Sequence, residues 1–315
     1  VDTTFEEYAQ EFQKLYPNVT ISFEGITNYA DDMTTRLTSG DWGDICMIPT
    51  TVNKSEFSTY FEPICNYDDM KDSYEFLGDK MFDGKVYGIA SMGKSMAALS
   101  CCILAAEGKI SLDDPVSKYR PDFKVPGNPA DTVTIRHLGM HTTGIPPMEP
   151  LEWSIAVNTP DRHSDWDVKM QESAPNSMST IEQIIEYIAN CPYPTLGGSG
   201  EYMSYSNEGY AVLCYVVDAA AGEPLEDFLD KRIFRPMKMT RSTLDTDASR
   251  ARAIATDGNI TALFEADEKG NIVGDEQWSI LPPFRACACV KSTAHDMARY
   301  YQCLANKGVL DGEQV

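Results

Sequence analysis

No apolar run of about eighteen residues occurs in the 315-residue chain, so no stretch of it reads as a membrane-crossing helix. Positive charge is scarce: 26 Lys and Arg stand against 48 Asp and Glu, a formal charge of −22. Binding to nucleic-acid phosphates or anionic lipid surfaces needs clustered cations, and no nucleic-acid partner is expected. The nine cysteines are odd in number and contain no C-x-x-C pair, which excludes a full disulfide framework. Cys101-Cys102 and Cys214 fall inside apolar helical patterns, where thiols serve as small buried hydrophobes. Cys287-Ala288-Cys289 has no histidine at ligand spacing, so no metal and no other cofactor is expected. The chain opens Val1-Asp2-Thr3, without a charged start and apolar stretch behind it, and closes Gly312-Glu313-Gln314-Val315 with no closing element. A fragment cut at both ends is expected.

What is present suffices for a sizeable core: 43% of the residues are hydrophobic, and the length fits two domains or one large one. Phe5, Tyr8, Phe12 and Leu15 repeat at the spacing of one helical face, and Pro17-Asn18 stops that helix. Val19–Phe23 alternates and is β-branched, predicting a strand; a second helix over Asn28–Leu37 and a second strand over Asp44–Ile48 follow. Helix, strand, helix, strand predicts a parallel α/β unit. The order Tyr16-Pro17-Asn18-Val19, Ser39-Gly40-Asp41, Gly43-Asp44-Ile45 and Asp83-Gly84-Lys85-Val86-Tyr87-Gly88 resembles the opening lobe of an extracellular solute-binding protein of a sugar-type ABC importer, over residues 1 to 88. Such proteins clamp a ligand between two lobes, and part of one lobe would not complete a cleft. The seam is expected at about residues 86 to 91, and no Pro-, Gly- or Ser-rich linker marks it. A join without a linker suggests a recombined or composite chain.

From Ser91 onward Met92, Met96, Leu99, Ile103 and Leu104 form a helical stripe that stops at Glu107-Gly108. Ser91 opens this helix, and Lys94 follows three residues later on the same face. A serine alcohol is a poor nucleophile at neutral pH and needs a nearby base, which a lysine supplies when burial or neighbouring cations free its amine. A helix start also presents N–H groups and the positive dipole end to a developing oxyanion. By spacing alone the pair also reads as the solvated start of a helix. Tyr205-Ser206-Asn207 precedes an apolar helix over Ala211–Ala221, and by residue type alone Tyr205 also reads as a turn tyrosine packed over that helix.

Ser91-Met92-Gly93-Lys94, then Leu112-Asp113-Asp114-Pro115-Val116, Thr134-Ile135-Arg136-His137-Leu138, His141-Thr142-Thr143-Gly144-Ile145-Pro146 and Tyr205-Ser206-Asn207 resemble the serine β-lactamase and penicillin-binding-protein-like family, in the branch of class C β-lactamases, D-alanyl-D-alanine carboxypeptidases and several esterases. The resemblance spans residues 89 to 315. It implies a β-lactamase/transpeptidase-like fold, a helical domain plus an incomplete antiparallel sheet flanked by helices, joined to the α/β segment of residues 1 to 88. It implies Ser91 as nucleophile, Lys94 and Tyr205 as the proton-sharing pair and Asn207 as donor to the acyl substrate, which would be a β-lactam, a D-alanyl peptide or an ester. His141 reads as a structural landmark rather than a triad base; His137, His163 and His295 have no acidic partner at diagnostic spacing and read as packing or surface residues. Leu225–Leu229, Ile233–Met237 and Lys291–Ala298 match as scaffold. The stretch from 146 to 178, with Trp153 and Trp166, is poor in periodicity and reads as a solvated loop of the kind that borders a cleft.

The chain departs from that family twice. Residues 1 to 88 stand where the family has strands before the nucleophile helix, and the third motif, Lys or His, a small residue and Gly, would lie past Val315. A sheet short at both margins, uncovered apolar faces and poor stability are therefore expected. Three functions compete: an acyl-transferring serine hydrolase, a carbohydrate-binding module inherited from residues 1 to 88, and a catalytically impaired composite. Both resemblances imply an extracytoplasmic or cell-surface location.

Overall fold

The computed structural model describes residues 3–63, 84–129, 132–158, 165–245, 249–261, 263–266, 272–275 and 281–314. Asp83 and His163 lie outside the described residues. The chain divides into two compact units, Val1–Glu75 and Phe76–Val315.

The first unit contains helices α1 (Thr3–Leu15), α2 (Tyr29–Ser39) and α3 (Phe57–Tyr60). α2 buries Met33 and Leu37 and ends on Gly40, whose φ of 77° supplies the left-handed cap. Arg36 holds Glu24 through two hydrogen bonds of 2.9 and 2.7 Å. The two helices expected from periodicity are present, but the α/β expectation for this unit is corrected: Val19–Phe23 and Asp44–Ile48 form no strand, and no ladder forms among the described residues 3–63. A parallel pair is stable only when helices cover both faces of its sheet. Here Ile21, Phe23, Ile45, Met47 and Ile48 are all exposed, so no covered face exists.

The second unit begins before the expected seam. Val86 bridges Ile260, and strand β1 (Tyr87–Gly88) is an edge of a three-stranded antiparallel sheet of order β1-β5-β2. Its other strands are β2 (Thr243–Leu244) and β5 (Val290–Ser292), with Tyr87 opposite Ser292 and Thr243 opposite Lys291. β3 (Leu263–Ala266) and β4 (Ile272–Asp275) form a hairpin, as do β6 (Val309–Leu310) and β7 (Glu313–Gln314).

Helices α4 (Gly93–Ala106), α5 (Ile135–Gly139), α6 (Pro150–Asn158), α7 (Asp165–Ser173), α8 (Ile181–Ala189), α9 (Asn207–Ala221), α10 (Leu225–Leu229), α11 (Ser249–Ile254), α12 (Arg285–Ala288) and α13 (Ala294–Ala305) make up the rest. α9 is buried along almost its whole length, from Glu208 to Cys214 and again at Val216 and Val217, and packs against α4, α5, α8 and α12. A helix apolar on all sides belongs in the middle of a bundle, and the core condenses around it with Leu104, Ile135, Phe228, Phe284 and Tyr300. Full burial of such side chains stabilises the fold by roughly 1.5–3 kcal/mol each.

Helix starts follow their caps. Thr134 and Thr180 form reciprocal capping boxes with His137 and Gln183 at α5 and α8, and Ser206 and Thr293 cap α9 and α13. The stretch from 146 to 178 differs from the expected solvated loop, since it holds α6 and α7 packed on each other. Trp153 is buried, donates Nε1–H to Ser173 Oγ at 3.1 Å and meets the Tyr187 ring edge-on at 5.1 Å. Trp166 stays exposed.

Candidate active site

Ser91 lies in a 3-10 turn, Ala90–Met92, that leads directly into α4. Pairing with β5 carries the chain into this turn, because Ile89 N–H donates to Val290 O at 3.0 Å one residue beyond β1. Ala90 has φ 45°, in the left-handed region that costs a residue with a Cβ of the order of 1 kcal/mol. The serine is thus presented from a strained turn, exposed, between a sheet edge and a buried helix.

Gly93 fixes how closely α4 approaches that sheet. A Cβ there would lie 2.6 Å from Ala286 O and 2.6 Å from Val290 Cγ2. The glycine is helical with φ −61°, so steric room rather than backbone freedom requires it. One residue on, Lys94 is buried with 4% of its surface exposed, and Nζ donates to Ser91 Oγ at 2.9 Å. The S-x-x-K spacing therefore brings the two side chains into direct hydrogen bonding.

Tyr205 meets Lys94 with its ring, Nζ lying 4.7 Å from the ring centroid, and the Tyr210 ring centroid lies 5.8 Å from the same nitrogen. Tyr210 is anchored by its hydroxyl on Gly139 O at 2.8 Å, and burial pushes that hydroxyl up to about 12. Beneath Tyr205 lies His141, stacked at 4.3 Å with φ 57°. His141 Nδ1 accepts the Ser206 N–H at 3.0 Å; burial, then the charge of Lys94, lowers its basicity. It holds the Tyr205–Asn207 turn, which fits a structural landmark.

Asn207 is the first residue of α9. Its carbonyl accepts the Cys287 thiol at 3.5 Å, while its side-chain Oδ1 is buried with no hydrogen-bond partner. Ser91, Lys94 and Tyr205 thus come together from the turn before α4, α4 itself and the segment before α9, whereas Asn207 is tied to them through Cys287, which its backbone carbonyl contacts and which senses the Lys94 charge. Gly93, Tyr210, Glu208 and Cys287 also frame the site and carried no motif signal; Glu208 alone had a visible cue, as the one charged residue in the first turn of an apolar helix. His137 serves in the α5 cap, and the His295 ring is exposed. Among the described residues no group of three His, Cys, Asp or Glu is arranged to hold a metal ion.

The Beta-lactamase family matches residues 75–315. The chain belongs to this family. It is similar to a penicillin-binding protein of Bacillus subtilis strain 168, 27% identical over 157 residues that make up 50% of this chain and 30% of the relative. It is also similar to esterase EstB of Burkholderia gladioli, 27% identical over 166 residues, 51% of this chain and 39% of the relative. The chain therefore spans about a third of the length of these curated relatives. Among solved structures, the octameric penicillin-binding protein homologue from Pyrococcus abyssi aligns with a TM-score of 0.56 at 26% identity, over 72% of this chain and 46% of that one. The second unit has the β-lactamase/transpeptidase-like fold, rich in helices with small sheets, and no helix in the described residues is long and apolar enough to cross a membrane.

Proposed function

We propose that the chain is an acyl-transferring serine hydrolase in which Ser91 forms a covalent acyl-enzyme with a small-molecule or peptide substrate, a β-lactam, a D-alanyl peptide or an ester. The observation that carries this reading is the 2.9 Å hydrogen bond from buried Lys94 Nζ to Ser91 Oγ. Family membership supports it, because one relative is a penicillin-binding protein and another an esterase.

In the proposed reaction Ser91 Oγ attacks the substrate carbonyl carbon and its proton passes to the Lys94–Tyr205 pair. Tyr205 then returns a proton to the departing amine or alkoxide, and water releases the acyl group from Ser91. Asn207 supplies its carboxamide to the acyl chain. Tyr205 meets Lys94 by its ring face, and the proposed proton transfer requires its hydroxyl to reach the Ser91–Lys94 pair when substrate enters. An extracytoplasmic site of action belongs to the same reading.

Labelling with fluorescent penicillin and with a fluorophosphonate tests the proposal. Both probes are expected to mark the wild type, Ser91→Ala to abolish the signal and Lys94→Ala to slow it by about 10² or more. Labelling that survives in Ser91→Ala defeats it. Absent labelling, with no heat against a carbohydrate panel in calorimetry, would favour the impaired composite, a reading to which the exposed apolar residues of the first unit lend weight.

A further inference from the structure

α9 is apolar on nearly every side, yet Glu208 on its first turn is buried with 2% of its surface exposed. A carboxylate in that position is ordinarily solvated and favoured by the helix dipole; this one is enclosed by the protein. Oε2 accepts the Ser206 hydroxyl proton at 3.0 Å, and Oε1 is buried with no hydrogen-bond partner. Ser206 lies between Tyr205 and Asn207 and is gripped from two directions, its N–H by His141 Nδ1 and its Oγ by the Gly209 N–H at 2.9 Å. A serine hydroxyl keeps a lone pair on a backbone N–H when its own proton has a fixed acceptor. Glu208 is that acceptor.

The groups facing Glu208 come from four packed elements: Lys94 of α4, Glu152 of α6, Tyr187 of α8 with Cys191 just beyond it, and Cys287 of α12. Lys94 alone among them offsets a negative charge. Glu152 adds to it, and one Glu152 oxygen is likewise buried without a partner.

We propose that Glu208 is a positioning residue of the Ser91 site, acting through Ser206 to hold Tyr205 against Lys94. Its consequence for acylation rests on the serine-hydrolase reading. With the carboxyl protonated, the turn is neutral and stays packed. Ionisation places a second acidic charge beside Glu152 in the buried core, only partly offset by Lys94, which is unfavourable, and hydration of the first turn of α9 then releases Tyr205. Burial, the main cause, lifts the Glu208 carboxyl to about 7, so this change falls near neutrality.

Two measurements on the full chain test the proposal. The Tyr205 ring resonance in tyrosine-13C NMR, assigned with Tyr205→Phe, is expected to move between pH 6 and 8 in the wild type. It should stay put in Glu208→Gln and in Ser206→Ala, which cuts the relay but leaves the carboxyl. A resonance that moves alike in all three, or in none, overturns the proposal. The second measurement is the rate of fluorophosphonate labelling at Ser91. The ratio of the Glu208→Gln rate to the wild-type rate is expected to rise at least about five-fold from pH 6 to pH 8.5 and to be constant in a Ser206→Ala background. A ratio independent of pH, or one that still rises without Ser206, overturns it. A wild type that never labels defeats the hydrolase reading alone, and the tyrosine resonance then decides the positioning role.

Discussion

A carboxyl raised from an ordinary value of 4.5 to about 7 makes Glu208 a lever on stability as well as on geometry. The folded state holds this proton more tightly than the unfolded chain, so the contribution is fully present below about pH 4.5 and is lost as pH rises through about 7. The loss is about 3 kcal/mol for a shift of this size. Glu208→Gln, which cannot ionise, is therefore expected to melt several degrees above wild type at pH 8, and the gap should shrink at pH 5; thermal melts at both pH values check this. Gly93 makes a second residue-scale prediction. With 2.6 Å to a backbone oxygen, Gly93→Ala must push α4 away from α12 and β5, and a loss of about 2–3 kcal/mol together with most Ser91 labelling is expected in denaturant titration and probe assays. Ser91, Lys94, Tyr205 and Asn207 are named through the family resemblance of their motifs; spacing alone leaves the Ser91–Lys94 pair as a helix start and Tyr205 as a turn residue. Gly93 and Cys287 could not be picked out from sequence, because each matters through a neighbour eighty or more residues away, and Glu208 showed only as a lone charge on an apolar helix, since its burial leaves no local pattern.

Helices α1 and α4 are legible in the sequence because an apolar period meets a stop there, whereas α8, with an apolar period and the Thr180 cap, carried no such reading. The stripe from Ser91 was expected to end at Glu107-Gly108, and α4 ends at Ala106 with Gly108 at φ 71°. The expected strands at 19–23 and 44–48 failed because alternation describes a half-buried strand and cannot supply the partner that makes one. The stretch around Trp153 was misread for the opposite reason: α6 and α7 are short, and tertiary packing holds them where propensity is weak. The ion cluster that joins three elements gives the test at this scale. Arg285 at the start of α12 is buried, reaches Asp218 of α9 at 2.5 Å and Glu226 of α10 at 2.9 Å, and stacks over the Tyr215 ring at 4.7 Å. Arg285→Ala leaves two partly buried carboxylates without their cation, so a loss of about 2–4 kcal/mol, somewhat below that of a fully buried pair, is expected from urea denaturation. Arg285→Ala combined with Asp218→Asn and Glu226→Gln should recover part of it, because the unpaired charge goes with the pair.

At the scale of the whole molecule the chain is two compact units of unequal quality. In the second, helices pack around α9; in the first, Phe5, Tyr8, Phe12 and Leu15 of α1 are exposed, with Ile45 and Met47. An apolar surface of that extent binds hydrophobic dyes and promotes association. Strong binding of an environment-sensitive naphthalene dye is expected for the native chain. Replacing those four α1 residues by Ser should reduce it while leaving the main thermal transition in place; undiminished dye binding would assign the exposed surface to the second unit. The resemblance of residues 1 to 88 to a solute-binding lobe was drawn from turn sequences, whose glycines and aspartates recur in many folds. The Ser91 unit was drawn from motifs tied to one chemistry, and its family match covers residues 75–315. The most direct measurement on the central claim is peptide mass mapping after fluorophosphonate treatment and trypsin digestion. The phosphonyl adduct is expected on the peptide from Val86 to Lys94, localised to Ser91 and absent in Ser91→Ala. An adduct on another residue, or none at all, would contradict it.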